Sequence, residues 1–241
     1  MKLSILIPAY NEENSIQELI AAVKKVDLGN IEKEIIVIDD GSKDKTREIV
    51  REIVRETENI TLIEHKHNLG KGGAIKTGIK SATGDIIIIQ DADLEYTPQE
   101  ISYVIRPIVE KKALVVYGSR FLSKTQLNRN KLFMKHHKSY LFAYLGGRMI
   151  TKITNLLFLL HLTDEPTCYK CFRADVIKKI KINANGFEWE PEVTAKILKK
   201  RIKIVEVPIS YNPRTIEEGK KINWKDGFKA IWTLIKYRVV N

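Results

Sequence analysis

Ile86-Ile87-Ile88-Ile89-Gln90-Asp91-Ala92-Asp93 is a β-branched apolar run that stops on two carboxylates. A run this short and this uniformly apolar reads as a strand buried on both faces, in the interior of a parallel sheet covered by helices. Asp91 and Asp93 then stand where a central strand runs out toward solvent, the edge at which open α/β sheets bind ligands. Two hard carboxylate oxygens presented together there suit Mg²⁺ or Mn²⁺ shared with the phosphates of a substrate. Asp-x-Asp is also short and common, and a solvated acidic turn is spelled the same way.

Outward from this strand, the first half alternates. Strands are expected at residues 3–8, 34–39, 60–64, 85–90 and 114–118, with helices at 12–26, 44–58, 72–81 and 98–111 between them. Asn11 is placed to cap the first helix, with Glu12 and Glu13 in its first turn. Alternation of this kind implies an α/β protein with a mostly parallel, doubly wound sheet. The second half is less regular: a helix over 138–160 in spite of Gly146-Gly147, a helix over 191–200, a strand over 203–209 and a polar, basic loop over 211–222. The chain ends on Trp224, Phe228, Ile231 and Ile235 at helical spacing, with Trp232 and Leu234 beside them and Lys225, Lys229, Lys236 and Arg238 on the remaining surface. Such a helix either lies in a membrane interface or docks its apolar stripe on the domain. The expected organisation is therefore one domain over 1–222 and a basic amphipathic helix over 223–241, part of the same unit or facing a membrane.

With 241 residues and 44% apolar content the chain can build a large core. No apolar run reaches the roughly 18–20 residues of a membrane span. No signal-type apolar segment follows Met1-Lys2, so the expected location is cytoplasmic. Cys168 and Cys171 form a Cys-x-x-Cys pair without a second pair to complete a zinc site, and read as reduced structural residues. The net charge of +11 is unevenly placed: residues 111–163 contain no Asp or Glu, but ten Lys and Arg, among them Arg120, Arg129, Lys131 and Lys135. Something anionic meets such a stretch: a phosphate group, an anionic membrane surface or nucleic acid.

Polar groups recur at the expected strand ends: Pro8-Ala9-Tyr10-Asn11-Glu12, Asp39-Asp40-Gly41-Ser42, Asp91-Ala92-Asp93 and Gly118-Ser119-Arg120. In a doubly wound sheet these ends converge on one crevice. A carboxylate on the second strand can bond ribose or base, the pair on the fourth can hold a metal, and Arg120 can clamp phosphate with its planar fork. Together they describe a nucleotide-diphosphate site with a metal. Asn68-Leu69-Gly70-Lys71-Gly72-Gly73 lacks the spacing of a P-loop, and no Gly-x-Gly-x-x-Gly follows the first strand, which excludes a dinucleotide-binding enzyme. Lys71 reads equally as part of a structural turn or as a nucleotide contact.

The chain resembles the family 2 glycosyltransferases with a GT-A fold, and within them the dolichyl-phosphate mannose synthase-like branch. The likeness rests on Ile-Pro-Ala-Tyr-Asn-Glu (7–12), Val-Ile-Asp-Asp-Gly-Ser (37–42), Asn-Leu-Gly-Lys-Gly (68–72), Gln-Asp-Ala-Asp-Leu-Glu (90–95) and Tyr-Gly-Ser-Arg-Phe (117–121). It extends through Thr-Asp-Glu-Pro-Thr-Cys-Tyr-Lys (163–170), Gly-Phe-Glu-Trp-Glu-Pro-Glu (186–192) and Val-Pro-Ile-Ser-Tyr-Asn-Pro-Arg (207–214). The resemblance implies a Rossmann-like, mixed but mostly parallel sheet flanked by helices. It implies metal-dependent, inverting transfer of a hexose of mannose or glucose type from a GDP- or UDP-linked sugar to a polyprenyl phosphate. The enzyme would sit peripherally on the inner face of the membrane, alone or with a separate membrane subunit.

By the same resemblance Pro8, Ala9, Tyr10, Glu12, Asp39 and Asp40 would hold the nucleoside, with Lys71 and Ala92 beside it. Asp91 and Asp93 would bind Mg²⁺ or Mn²⁺ and the diphosphate. Glu95 stands where the family often has a glutamine as third metal contact. Arg120 would face the acceptor phosphate, and Arg214 with Lys220 or Lys221 would close over the diphosphate.

A phosphate acceptor is already anionic and needs no base, only cations that bring it beside an anionic donor. The acid-free stretch supplies them. A hydroxyl acceptor, as in polysaccharide or glycolipid synthesis, would need a base, for which Asp164, Glu188 and Glu190 are the candidates; on an extended segment the last two share a face. A sugar-nucleotide pyrophosphorylase would carry a glycine-rich loop where Pro8-Ala9-Tyr10 stand, and no nucleic-acid-binding motif occurs. Neutralising Arg129, Lys131 and Lys135 together is expected to weaken liposome binding and raise the KM for a lipid acceptor; flotation and acceptor titration would show it, and no change in either removes that role from these residues.

Overall fold

The fold was established from a computed structural model that describes residues 1–122, 139–214 and 224–240. Its elements run β1 (Lys2–Ala9), α1 (Ile16–Lys24), β2 (Glu32–Asp39), α2 (Thr46–Glu56), β3 (Ile60–Glu64), α3 (Lys71–Ser81), β4 (Ile86–Ile89), then a 3-10 turn (Pro98–Glu100) leading into α4 (Ile101–Val109). They continue with β5 (Val115–Ser119), α5 (Ser139–Phe158), β6 (Lys170–Arg173), α6 (Ala174–Ile177), α7 (Trp189–Lys199), β7 (Ile204–Pro208) and α8 (Trp224–Val239). One seven-stranded sheet has the order β3-β2-β1-β4-β6-β5-β7. All neighbours pair in parallel except β6, which runs antiparallel between β4 and β5.

The isoleucine run behaves as its composition demands. All four side chains of β4 are buried. Ile86 and Ile88 join the core on one side of the sheet, with α1, α2 and α4; Ile87 and Ile89 join the other, with α3 and α7. Alternation sends successive residues to opposite faces, so a strand covered on both has no polar position to spare. The polar residues must wait until the strand ends: Gln90, buried and hydrogen-bonded by Tyr169, comes first, and Asp91 follows.

Three local expectations are corrected. Asn11 does not cap α1, which starts at Ile16 after Ser15. Asn11 instead takes a left-handed φ of 51° and ties the ends of β1 and β2 together: its N–H donates to Ser42 Oγ at 3.0 Å, and its Oδ1 accepts from the Lys43 N–H at 2.9 Å. The short antiparallel strand β6 was not anticipated; it begins on Lys170, a charged residue that is fully buried. Glu188 and Glu190 do not share an extended segment, because α7 begins at Trp189.

The last helix turns out to carry two apolar faces. Ala230, Leu234 and Tyr237 pack against Ile150 of α5 and Ala195 of α7. Phe228, Trp232, Ile235 and Val239, spaced i, i+4, i+7 and i+11, point outward, with Trp232 66% exposed. α5 does the same: Ile150, Ile153 and Leu157 face inward while Leu145, Met149 and Leu156, with Leu159 just past its end, are exposed. Among the described residues no helix is long and apolar enough to cross a membrane. Leu234, with no exposed surface, should therefore cost about 3 kcal/mol on truncation to Ala, and Trp232→Ala less than about 0.5 kcal/mol, measured by urea unfolding.

Candidate active site

β1, β2 and β4 are parallel neighbours and end at one edge, where a cavity of about 360 Å³ opens. Pro8 and Ala9 at the end of β1, Tyr10 and Glu12 after it, and Asp91, Ala92 and Asp93 after β4 line it; Asp40, Lys71, Arg120 and Arg214 also border it.

Both carboxylates of the strand end are engaged by the protein's own cations. Lys71 Nζ, on the first residue of α3, lies 2.8 and 2.9 Å from the two oxygens of Asp91. It also lies 3.5 Å from Glu190, which in turn sits 2.6 Å from the buried Lys170 ammonium. The Glu190 contacts are ion pairs without well-angled hydrogen bonds. Burial works against the Lys71 charge, but Asp91 and Glu190 outweigh it and hold the ammonium well above its usual range. Asp93 Oδ1 accepts the Glu95 N–H at 3.1 Å across a turn in which Leu94 has a φ of 60°, a left-handed conformation that costs a leucine about 1 kcal/mol. Asp93 Oδ2 accepts from Arg214 Nη2 at 3.1 Å. Burial, with the charges of Asp91 and Glu95, pushes the Asp93 carboxyl up to about 7 although Arg214 pulls the other way.

Glu95 lines the same cavity and is held by the segment that follows β7. Its Oε2 accepts from Tyr211 Oη at 2.7 Å, its Oε1 from the Arg214 N–H at 2.9 Å, and its carbonyl from the Asn212 N–H at 2.9 Å. These contacts make Glu95 the anchor of the segment that follows β7. Both of its carboxylate oxygens are engaged there in this arrangement, as are those of Asp91 and Asp93. Among the described residues no three metal-binding side chains cluster. Two crowded carboxylates, one with its proton affinity raised by the other, nonetheless fit Mg²⁺ or Mn²⁺: such ions take oxygen ligands, tolerate few protein donors and fill their remaining positions with water and substrate phosphate.

The two aspartates after β2 have separate tasks. Asp39 is fully buried, accepts from Arg47 Nε at 2.9 Å and Nη2 at 2.8 Å, and does not line the cavity. Asp40 does line it, yet its oxygens hold the 68–70 turn: they accept the N–H groups of Leu69 (2.9 Å) and Gly70 (2.8 Å), and Oδ1 meets His65 Nδ1 at 2.7 Å. The glycine-rich turn spends these amides on Asp40 rather than on a phosphate. Gly70 has a φ of 87°, and a Cβ there would lie 2.5 Å from the Asn185 carbonyl oxygen.

Arg120, at the end of β5, donates through Nε and Nη2 to Asp164 at 2.7 Å each, and its N–H donates to the same carboxylate at 2.9 Å. Burial opposes its charge, and Asp164 keeps the guanidinium well above its usual range. Asp164 is itself anchored: its N–H and that of Thr163 donate to Glu206. The Arg120 guanidinium lies 5.0 Å from the Tyr211 ring and 5.7 Å from that of Phe121, whose ring is also met by Arg148 at 5.1 Å. Arg129, Lys131, Lys135, Lys220 and Lys221 lie outside the described residues.

Sequence reasoning gave no role to the apolar walls: Tyr96, Pro166, Phe187 and Tyr211. Tyr96 packs on Tyr211 with ring centroids 5.3 Å apart, and its hydroxyl accepts the Cys168 N–H at 3.2 Å. The available signal was position: Tyr96 follows the acidic pair by three residues, and Tyr211 precedes Arg214 by three. Cys168 and Cys171 are free thiols, and burial pushes both up, in keeping with a structural role.

The architecture is that of GT-A nucleotide-diphospho-sugar transferases. Glucosyl-3-phosphoglycerate synthase from Mycobacterium tuberculosis, solved with Mn²⁺, uridine diphosphate and phosphoglyceric acid, superimposes with a TM-score of 0.70 at 17% identity, covering 100% of this chain and 79% of that one. The chain belongs to glycosyl transferase family 2, whose sequence model matches residues 4–181, and it is a glycosyltransferase. It is similar to an uncharacterized protein of Methanocaldococcus jannaschii, at 30% identity over 99% of this chain and 93% of that one. It is also similar to the UDP-N-acetylglucosamine–dolichyl-phosphate N-acetylglucosaminyltransferase of Methanococcus voltae (29%; 98% and 95%) and to the dolichol-phosphate mannosyltransferase of Pyrococcus furiosus (28%; 91% and 59%).

Arg47→Met would strand the Asp39 carboxylate in the core, and should cost about 3 kcal/mol in urea unfolding. A loss below about 0.5 kcal/mol would show that the pair does not hold the β2 end.

Proposed function

We propose that this glycosyltransferase moves a sugar from a nucleotide-sugar to a polyprenyl phosphate at the cytoplasmic face of a membrane. The observation that carries the choice of acceptor is the state of the acids around the cavity. Glu12, Asp40, Asp91, Asp93 and Glu95, which line it, all have cationic or N–H partners. Asp164, Glu188 and Glu190, the candidate bases for a hydroxyl acceptor, are held by Arg120, by the Gly186 N–H and by Lys170. A site in which, among the described residues, no lining carboxylate is spare suits an acceptor that arrives already ionised.

In this reading Pro8, Ala9, Tyr10 and Glu12 bind the nucleoside, and Asp39 and Asp40 brace that surface through Arg47 and the 68–70 turn. Lys71, Arg214, Lys220 and Lys221 balance the diphosphate. Arg120, fixed by Asp164, receives the acceptor phosphate, guided inward by Arg129, Lys131 and Lys135. One phosphate oxygen attacks the anomeric carbon as the bond to the diphosphate breaks, and the nucleoside diphosphate leaves with the electron pair. A divalent cation held by Asp91 and Asp93 would stabilise charge on that leaving group.

The relatives act on dolichyl phosphate with N-acetylglucosamine, glucose or mannose by their names. A UDP-linked hexose is the first donor to test, since the Methanococcus relative is named for one and spans nearly its full length here. The exposed stripes of α5 and α8, flanked by Lys152, Lys229, Lys236 and Arg238, are the surface we assign to the bilayer. α8 belongs to the catalytic unit in this reading.

Thermal shift with a panel of UDP- and GDP-sugars should show stabilisation that requires Mn²⁺ and is lost in Asp91→Asn and Asp93→Asn. Transfer to a short polyprenyl phosphate should follow, with Asp164→Asn raising the acceptor KM more than it lowers kcat. Stabilisation by no nucleotide-sugar, or transfer only to a sugar hydroxyl with Asp164→Asn inactive, overturns the proposal.

A further inference from the structure

Arg214 occupies the place that the diphosphate site needs vacated. Its Nη1 donates to Glu12 Oε2 at 2.9 Å, and its Nη2 lies 3.3 Å from Glu12 Oε1 and 3.1 Å from Asp93 Oδ2. Its Nε is buried with no hydrogen-bond acceptor, 3.8 Å from Glu95 Oε1. The guanidinium is thus spread over the strand-end acids, and one donor has no partner in this arrangement. Asp93 has no free oxygen either, because Oδ1 holds the Glu95 N–H while Oδ2 holds Arg214.

We infer that Arg214 is the resident cation of the strand-end carboxylates, exchanged for a divalent cation only when a diphosphate arrives to receive it, so that it couples the binding of the two. The inference rests on the reading of the cavity as a nucleotide-diphosphate site. A divalent cation approaching Asp93 alone must displace Nη2 from it and leave the guanidinium on Glu12 alone, with Nε still lacking an acceptor, and a partly unsatisfied charge in a half-buried pocket is costly. A diphosphate removes that cost by offering the fork new oxygens. It also supplies oxygens to the metal.

The anchor for this exchange is already built. Glu95 holds the backbone N–H of Arg214, the backbone N–H of Asn212 and the hydroxyl of Tyr211. The root of the arginine therefore stays in place, and only the side chain swings between carboxylates and phosphates. Lys71 likewise keeps a partner, Glu190, when Asp91 is taken by a metal. After transfer, Glu12 and Asp93 draw the guanidinium back, which favours release of metal and nucleoside diphosphate. Coupling of this kind is reciprocal: each ligand tightens the other by the same factor.

Calorimetric titration of Mn²⁺, with and without uridine diphosphate, tests the exchange on the full chain. Arg214→Met should bind Mn²⁺ alone about tenfold more tightly than the unaltered protein, the worth of one charge-assisted contact to Asp93, and the factor by which uridine diphosphate tightens Mn²⁺ should fall by about tenfold. Arg214→Lys keeps the charge but cannot fork across both acids, and should tighten Mn²⁺ alone by about threefold; if the methionine variant does not fold, this one decides. Unchanged or weaker Mn²⁺ binding in the variants overturns the inference. So does a gain in Arg214→Met that is equal with and without uridine diphosphate, which would be through-space repulsion alone. If neither the unaltered protein nor the variants bind Mn²⁺ or uridine diphosphate, the functional reading itself falls.

Discussion

Carboxylates at the end of a strand buried on both faces have to be neutralised, and the second half of the chain is arranged around that requirement. Ile86 to Ile89 exclude water from both sides of β4, so the charges at Asp91 and Asp93 lie against a low-dielectric wall, where an unpaired carboxylate is expensive. Lys71 reaches Asp91 from α3, and Arg214 reaches Asp93 from beyond β7. Glu190 of α7 balances Lys71, and Lys170 of β6 balances Glu190. The alternating line of charge thus joins α3, β4, β6 and α7 around the cavity. It also accounts for the oddest residue in the core, a lysine with no exposed surface at the start of a strand. Lys170 is tolerated there because it also donates to the Glu165 and Thr167 carbonyls and lies 4.5 Å from the Tyr117 ring.

A second buried pair holds the opposite wall. Asp164 grips Arg120 from three directions, and Glu206 of β7 grips the backbone of Asp164. The geometry leaves one face of the guanidinium against Tyr211. Tyr211 is in turn hydrogen-bonded to Glu95, two residues beyond Asp93. The basic wall and the acidic floor are therefore mechanically joined through one tyrosine. A glutamine at position 95 could still accept from Tyr211 through its amide oxygen, but it could not accept from both Tyr211 and the Arg214 N–H through separate carboxylate oxygens. That difference gives the glutamate at this position a physical reason.

What was legible in the sequence follows from which signals are local. The β4 strand, the alternation of β1 to β5 with α1 to α4, and the convergence of strand ends are periodicity and topology, and both survive in a single chain. The anchoring of Glu95 was not legible because its partners, Tyr211 and Arg214, lie more than a hundred residues away. Asp39 and Asp40 are adjacent and look alike, yet alternation across the sheet sends one to Arg47 and the other to the cavity edge. β6 was hidden by its brevity and by Lys170, whose charge reads as surface until Glu190 is seen beside it. In α8 helical spacing found an apolar stripe, but a helix with two such stripes defeats the assumption of a single buried face: Leu234 docks while Trp232 does not.

Charge also separates the two ends of the reaction surface. On the proposed reading, a chain with a net charge of +11 would hold a diphosphate and a lipid phosphate tightly if unpaired cations alone met them. Acids placed under the cations change that balance. Among the described residues, each guanidinium or ammonium lining the cavity already has a carboxylate partner of its own: Lys71 has Asp91, Arg120 has Asp164, Arg214 has Glu12. A substrate phosphate must compete with those partners, so only the difference between the two pairings appears as affinity. The same partners hold each cation in position before substrate arrives, which limits the ordering cost of the encounter. On the proposed reading, the acidic pair that ends the isoleucine strand would serve anionic substrates in two ways, as a seat for metal and as the competitor that lets the products go.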